Sequence, residues 1–294
     1  MGRDRVAIST TLAMIGLADA VLCWTSGLSF SHWSPALPST MAIAIIGLGY
    51  HWSGRSARIA DMAHWTVLWV AFSIVGAILT YLAARRGAAW SDKALAALDH
   101  RLGFDWSAWF EFVGSHHLLK LVLAAAYASL MPQIWGSILY FAYRGWEDRN
   151  SELLSSVTLA LLLTCGVFAL FPALGPGTAV PQLADLYLAD LVGLHDSSVA
   201  VFEIAKLKGI IAFPSFHAVL GVLFSYAHRG RASFYPVVAL NAVMLVSIPS
   251  EGGHYLIDAL AGVAIALLTI VAIRGLQLHR VGTIRARLAQ PGPA

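Results

Sequence analysis

The sequence predicts an all-α, polytopic transmembrane helical bundle of roughly six to eight spans with an interfacial amphipathic helix. Three observations carry this. Only 12% of the 294 residues are charged and 58% are apolar, with a mean hydropathy of +0.71. A soluble domain carries about 25% charged residues, so most of this surface cannot face water. Apolar runs near the roughly 20 residues needed to cross about 30 Å of hydrocarbon also recur along the chain.

The expected spans lie at about 6–28, 38–52, 63–84, 118–142, 152–172, 211–228, 233–250 and 255–276. The second is short enough to be re-entrant. The first follows Arg3 and Arg5 and so imitates a signal peptide, but its length and the absence of a small-residue cleavage site predict a retained anchor. Cys23 and Cys165 fall inside spans, where buried packing is expected rather than a disulfide or thiolate site. With the N-terminus inside, Arg55, Arg58, Arg144, Arg149, Arg229, Arg231 and the C-terminal arginines fall on the inner side. Fewer cations (Arg85, Arg86, Lys93, Arg101, Lys120, Lys206, Lys208) fall outside, the orientation favoured by the positive-inside rule. This pattern fits a bacterial inner membrane.

Two connections are long. The stretch 88–112 alternates charges with apolar and aromatic residues, including Trp106, Trp109 and Phe110, and reads as an amphipathic helix with its indoles at headgroup depth. The stretch 171–209 opens on a breaker cluster around Pro172, Gly175, Pro176 and Gly177. Connections of that length are often lids, so it is expected either to cap a site or to form a plain surface helix. The chain accordingly divides into accessory helices and the interfacial helix (1–112), a catalytic core (113–280) and a cytoplasmic tail (281–294).

The chemistry concentrates in Phe213-Pro214-Ser215-Phe216-His217, Gly252-Gly253-His254-Tyr255 and Asp258. Ionisable groups at the ends of apolar helices are expensive to hold near a bilayer and are functional candidates by default. Pro214 suits a first helical turn, whose free N–H groups, with Ser215, make an anion-binding end. Asp258 lies four residues after His254, so on a helix the two share a face, and the carboxylate fixes the imidazole tautomer. Gly252 and Gly253 leave room for a substrate group against the backbone. One out-and-back pair of spans puts both histidines at one membrane face, the outer one in the orientation above. A nucleophile, a proton donor and a helix end suited to phosphoryl oxygens follow. His116, His117 and Lys120 start the fourth span on the same side, and Gln133, beside Pro132, is placed to satisfy backbone groups freed by a kink.

These motifs resemble the second and third motifs of the type 2 phosphatidic acid phosphatase superfamily, over roughly residues 115–278. The pattern is most similar to the branch containing inositol phosphorylceramide synthase and the sphingomyelin synthases. The resemblance implies that His254 is the nucleophile forming a phosphohistidine, Asp258 its orienting carboxylate, His217 the acid that protonates the leaving oxygen and then activates the acceptor, and Ser215 a phosphate ligand. It further implies a metal-independent lipid phosphatase or phosphotransferase with no cofactor. The substrate would be a phospholipid or isoprenoid phosphate held among membrane lipids, with no nucleic-acid partner. Two cations of the superfamily pattern are missing: the chain has no Arg-Pro dipeptide, and Ile248 follows Ser247 where an arginine is usual. Lys206 and Lys208 are candidates to restore that charge, with Gly253 lining the phosphate. Their loss favours transfer to a hydroxyl acceptor over hydrolysis. The alternatives are an intramembrane serine hydrolase using Ser215 and His254, a transporter, and a metal hydrolase using His217, His254 and Asp258.

Overall fold

The computed structural model describes residues 3–31 and 36–288. Helices dominate: α1 (Arg3–Ser26), α2 (Ala36–Ser53), α3 (Ala57–Ala84), α4 (Asp92–Arg101), α5 (Trp106–Ser115), α6 (His117–Ala128), α7 (Leu130–Tyr143), α8 (Glu147–Leu170), α9 (Pro181–His195), α10 (Phe216–Ala227), α11 (Phe234–Glu251) and α12 (Leu256–Leu288). Two three-residue strands, β1 (Ser29–Ser31) and β2 (Val201–Glu203), pair in parallel and tie the start of the chain to the 171–209 connection.

Among the described residues five helices (α1, α3, α8, α11 and α12) are long and apolar enough to cross a membrane, and up to six spans result if α6 and α7 count as one. Two predicted spans fall short. The helix over 36–53 does not meet the hydropathy required, and α10 has only 12 residues. The fourth span is broken: α6 and α7 meet at Ser129 with a bend of 41°. Gln133 does not repair the backbone at this break. Its Nε2 donates to the Ser129 hydroxyl (2.9 Å), while the Ser129 hydroxyl donates to the Ala126 carbonyl. Cys23 and Cys165 are free thiols, Cys165 buried as expected and Cys23 only half-buried. Residues 289–294 of the expected tail lie outside the described residues, and α12 continues as a helix to Leu288.

The main core is built where α3, α7, α8, α10 and α12 meet, around Trp65, Trp69, Phe141, Leu154, Phe224 and Ala266. Removing such side chains from water or lipid-facing positions and close-packing them supplies most of the cohesion. At the end opposite the candidate site, ion pairs join the elements. Arg5 of α1 contacts Asp61 of α3 and Glu147 of α8, both at 2.6 Å, and Arg229 pairs with both oxygens of Glu152 at 2.8 and 2.6 Å. Both Arg229 bonds come from one guanidinium nitrogen, Nη2, and are charge-assisted, the stronger class of hydrogen bond.

The stretch 88–112 is not one interfacial helix. It forms α4 and part of α5, separated by a turn in which Asp105 caps α5 by accepting from the Ala108 N–H (3.0 Å). Its aromatic residues are partly committed to the protein: the Trp106 indole N–H donates to the Pro249 carbonyl at 2.9 Å, pinning α5 to the end of α11.

Candidate active site

His254 and Tyr255 form the short link between α11 and α12, and Asp258 lies in the first turn of α12. His254 Nδ1 lies 2.7 Å from the Ala212 carbonyl oxygen and 3.3 Å from Asp258 Oδ2. A carbonyl can only accept, so Nδ1 carries the proton and Nε2 keeps its lone pair. Asp258 is fully buried, and its Oδ2 also accepts from the Tyr255 N–H at 2.9 Å. The i, i+4 spacing predicted the pair on one helix face with the carboxylate fixing the tautomer; His254 instead lies in the link before α12, and the Ala212 carbonyl is its closer partner.

The two motifs are locked together by their backbones. The Ser215 N–H donates to the Asp258 carbonyl at 3.0 Å, and Ser215 is the N-cap of α10. Pro214 precedes this cap, joined to Phe213 by a cis peptide bond, so it sits outside the first turn rather than within it. Gly262 of α12 faces the Ser215 carbonyl and Ala218 so closely that any side chain there would overlap them. His217, in the first turn of α10, stacks on Tyr127 of α6 with ring centroids 4.4 Å apart and planes at 11°, and its Nδ1 is 3.5 Å from the Tyr127 hydroxyl.

The loop before His254 is shaped by a second chain segment. Gly253 has φ +64°, a region L-residues rarely adopt, and its carbonyl accepts from the Gly177 N–H at 3.1 Å. A Cβ at 253 would stand 2.9 Å from the Gly177 Cα. Gly253→Ala therefore combines left-handed backbone strain of about 1–2 kcal/mol with a backbone clash next to the imidazole. The expected outcome is at least a roughly tenfold loss of turnover, since displacements near 1 Å at a reacting group cost that much or more. Steady-state kinetics on detergent-purified protein would read it.

The Gly175–Gly177 turn is held in its own right. Asp92 of α4 accepts from the N–H groups of Leu174 (3.0 Å) and Gly175 (2.9 Å), and the Tyr255 hydroxyl donates to the same carboxylate at 3.4 Å. Burial, with the Asp92 carboxylate beside it, pushes the Tyr255 phenol up, so it stays a neutral donor. The Tyr187 hydroxyl donates to the Leu174 carbonyl at 2.8 Å, and burial pushes that phenol up to about 12. Asp99, two turns further along α4, is buried and accepts from the N–H groups of Leu256 (2.8 Å) and Ile257 (2.9 Å), capping α12 directly after the histidine link.

His217, His254 and Gly252 line one cavity of about 460 Å³, together with Tyr127, Tyr187, Lys208 and Glu251. Leu183 and Tyr187 of α9 form part of its wall, so the 171–209 connection covers the site rather than lying apart as a plain surface helix. Other candidates sit elsewhere. Lys206 is exposed and pairs with Glu203 at 2.9 Å, away from the cavity wall. Ser215 is fully buried behind the wall, its hydroxyl without a partner among the described residues, and Gly253 also lies behind it. His116, His117 and Lys120 are exposed and do not line the cavity. Among the described residues no group of three or more His, Cys, Asp or Glu is arranged to hold a metal ion.

Four residues escaped the motif reading. Asp92 and Asp99 share a face of α4 with buried Leu95, a spacing of three and seven residues visible in the sequence as a stripe with acids where a core face should be apolar. Glu251 stands one residue before the glycine pair, and a half-buried carboxylate there with no hydrogen bond or ion pair among the described residues was readable only in hindsight. Tyr127 left no local signal, because its role depends on α6 packing beside α10.

Compared with curated proteins and with solved structures, the chain has no match. A family model described as PAP2 superfamily matches residues 93–272, more than half of the chain, and that segment runs from α4 through the histidine motifs into α12. The chain belongs to the PAP2 superfamily.

Proposed function

We propose that the protein is a membrane-embedded lipid phosphotransferase or phosphatase that works through a phosphohistidine on His254. Membership of the superfamily supports phosphatase or phosphotransferase activity in general. The observation that carries the specific reading is the Ala212 carbonyl 2.7 Å from His254 Nδ1, with His254 and His217 lining one cavity: an Nδ1 that donates to this carbonyl leaves the Nε2 lone pair for attack.

In the first step Nε2 attacks phosphorus, the bond to the leaving oxygen breaks, and a protonated His217 gives its proton to that oxygen. In the second, a hydroxyl acceptor or water loses its proton to His217 and attacks phosphorus, breaking the P–N bond and restoring His254. Asp258 steadies the positive charge that grows on the imidazole in between. Lys208 and the free N–H groups of α10's first turn are the phosphate contacts best placed along the cavity, with Ser215 and Gly253 shaping the wall behind. Lys206 is left to its ion pair. Preference for a hydroxyl acceptor over water, as in the inositol phosphorylceramide and sphingomyelin synthase branch, is supported by the two missing arginines. An extracytoplasmic site in a bacterial inner membrane is supported by the arginine distribution.

The test is single-turnover labelling with phosphate-labelled phospholipids. Wild type should acquire an acid-labile label and lose it on addition of an alcohol or water. His217→Ala should slow both formation and decay of that label by about 10²–10⁴-fold, the usual weight of a positioned acid–base group. Unaltered kinetics in His217→Ala would remove it from the mechanism.

A further inference from the structure

The catalytic histidines occupy only one end of their cavity. The rest is apolar and runs along α3, a helix outside the family-matched segment 93–272. Trp69, Ser73, Gly76, Ala77 and Thr80 of α3 line it, a spacing that places them on one helix face. At 1.5 Å per residue this stripe is about 16 Å long, close to half of the roughly 30 Å hydrocarbon thickness. Its Thr80 end is the polar one. The neighbouring Tyr81 hydroxyl accepts from the Lys208 N–H at 3.2 Å, and Lys208 lines the same cavity as the histidines. Trp69 marks the deep end, among core residues.

The cavity also opens sideways. Met131 and Trp135 of α7 line it while remaining 63% and 38% exposed on the outside of the bundle, just beyond the break at Ser129. Room inside comes from small side chains on α3. Gly76 is committed to packing, since a Cβ there would stand 2.7 Å from Leu161 Cδ2, whereas Ala77 and Ser73 border open space.

We infer that this face of α3 is the seat of the substrate's hydrocarbon tail. A long apolar chain, about one leaflet deep and covalently attached to the phosphate, passes between Met131 and Trp135 and lies against Ser73 and Ala77 down to Trp69. The inference rests on the proposed function for the identity of the headgroup end. It adds that the accessory helix, not the family core, sets which tail length is accepted.

The experiment compares phosphatidic acids bearing two C16 or two C6 chains in detergent micelles, with wild type, Ala77→Phe and Ser73→Phe. A phenyl group at either position fills the groove, so the ratio of kcat/KM for C16 over C6 should fall at least tenfold in both variants. An unchanged ratio overturns the tail assignment. A second readout does not need turnover. A C16 phosphatidic acid carrying a diazirine near the chain end, photolysed on His254→Ala protein, should crosslink to the peptide containing residues 69–80, and crosslinks confined to other helices overturn it. Wild type that turns over neither lipid yet crosslinks at α3 would instead reject the phosphohistidine reading and leave the groove standing.

Discussion

Replacing His254 with alanine should lower turnover by at least about 10⁴-fold and abolish the acid-labile label, with the protein still folded. The magnitude follows from the proposed role: removing a group that forms a covalent intermediate usually costs roughly 10⁴–10⁶. The fold should survive because His254 is a link residue between α11 and α12, and its one side-chain bond to the chain outside its own helix turn is to the Ala212 carbonyl. Gel filtration and circular dichroism of the purified variant, run beside the labelling assay, separate the two effects. Full turnover in a folded His254→Ala protein would end the assignment. Asp258 is a poorer first test. It bonds both the imidazole and the Tyr255 N–H from a fully buried position, so its loss mixes chemistry with folding.

The second large effect is expected far from any motif, at Asp99→Ala. This carboxylate accepts from two successive N–H groups at the start of α12, beginning two residues after His254. Deleting it leaves two part-buried donors unpaired, at about 1 kcal/mol or more each, and removes a negative charge from a helix N-terminus. The apparent Tm should fall by roughly 5–15 °C. Turnover should fall at least about tenfold even well below that temperature, because α12 fixes the position of the histidine link. Asp99→Asn keeps one acceptor oxygen and should recover part of the stability. If Asp99→Ala melts and turns over like wild type, α4 does not organise the site.

That expectation marks where the sequence stopped being readable. The stretch around 88–112 looks interfacial because its charges and indoles alternate, and composition has no means of distinguishing a carboxylate facing water from one facing a helix end. Asp92 and Asp99 face inward, and Trp106 donates to a backbone carbonyl that only the packing of α5 on α11 brings near. Lys206 and Lys208 show the same limit at closer range. Two residues apart and alike in type, they point to different surroundings, one to Glu203 and the other to the cavity. The span expected at 211–228 is shorter for a related reason: α10 has only 12 residues, and its start is fixed by the Ser215 cap and the Asp258 carbonyl rather than by where the apolar run begins.

What the sequence alone determined is whatever depends on neighbours along one chain: an apolar helical bundle, and a His254–Asp258 contact between residues four apart. What only the tertiary structure decided is whatever depends on groups distant in the chain. It set the Nδ1 proton through Ala212, the capping of α12 from α4, and the apolar groove against α3. The reason is physical. Helical periodicity is written into local backbone geometry, whereas the acceptor that a buried N–H finds, and the space left beside a small side chain, are settled only when separate helices close-pack.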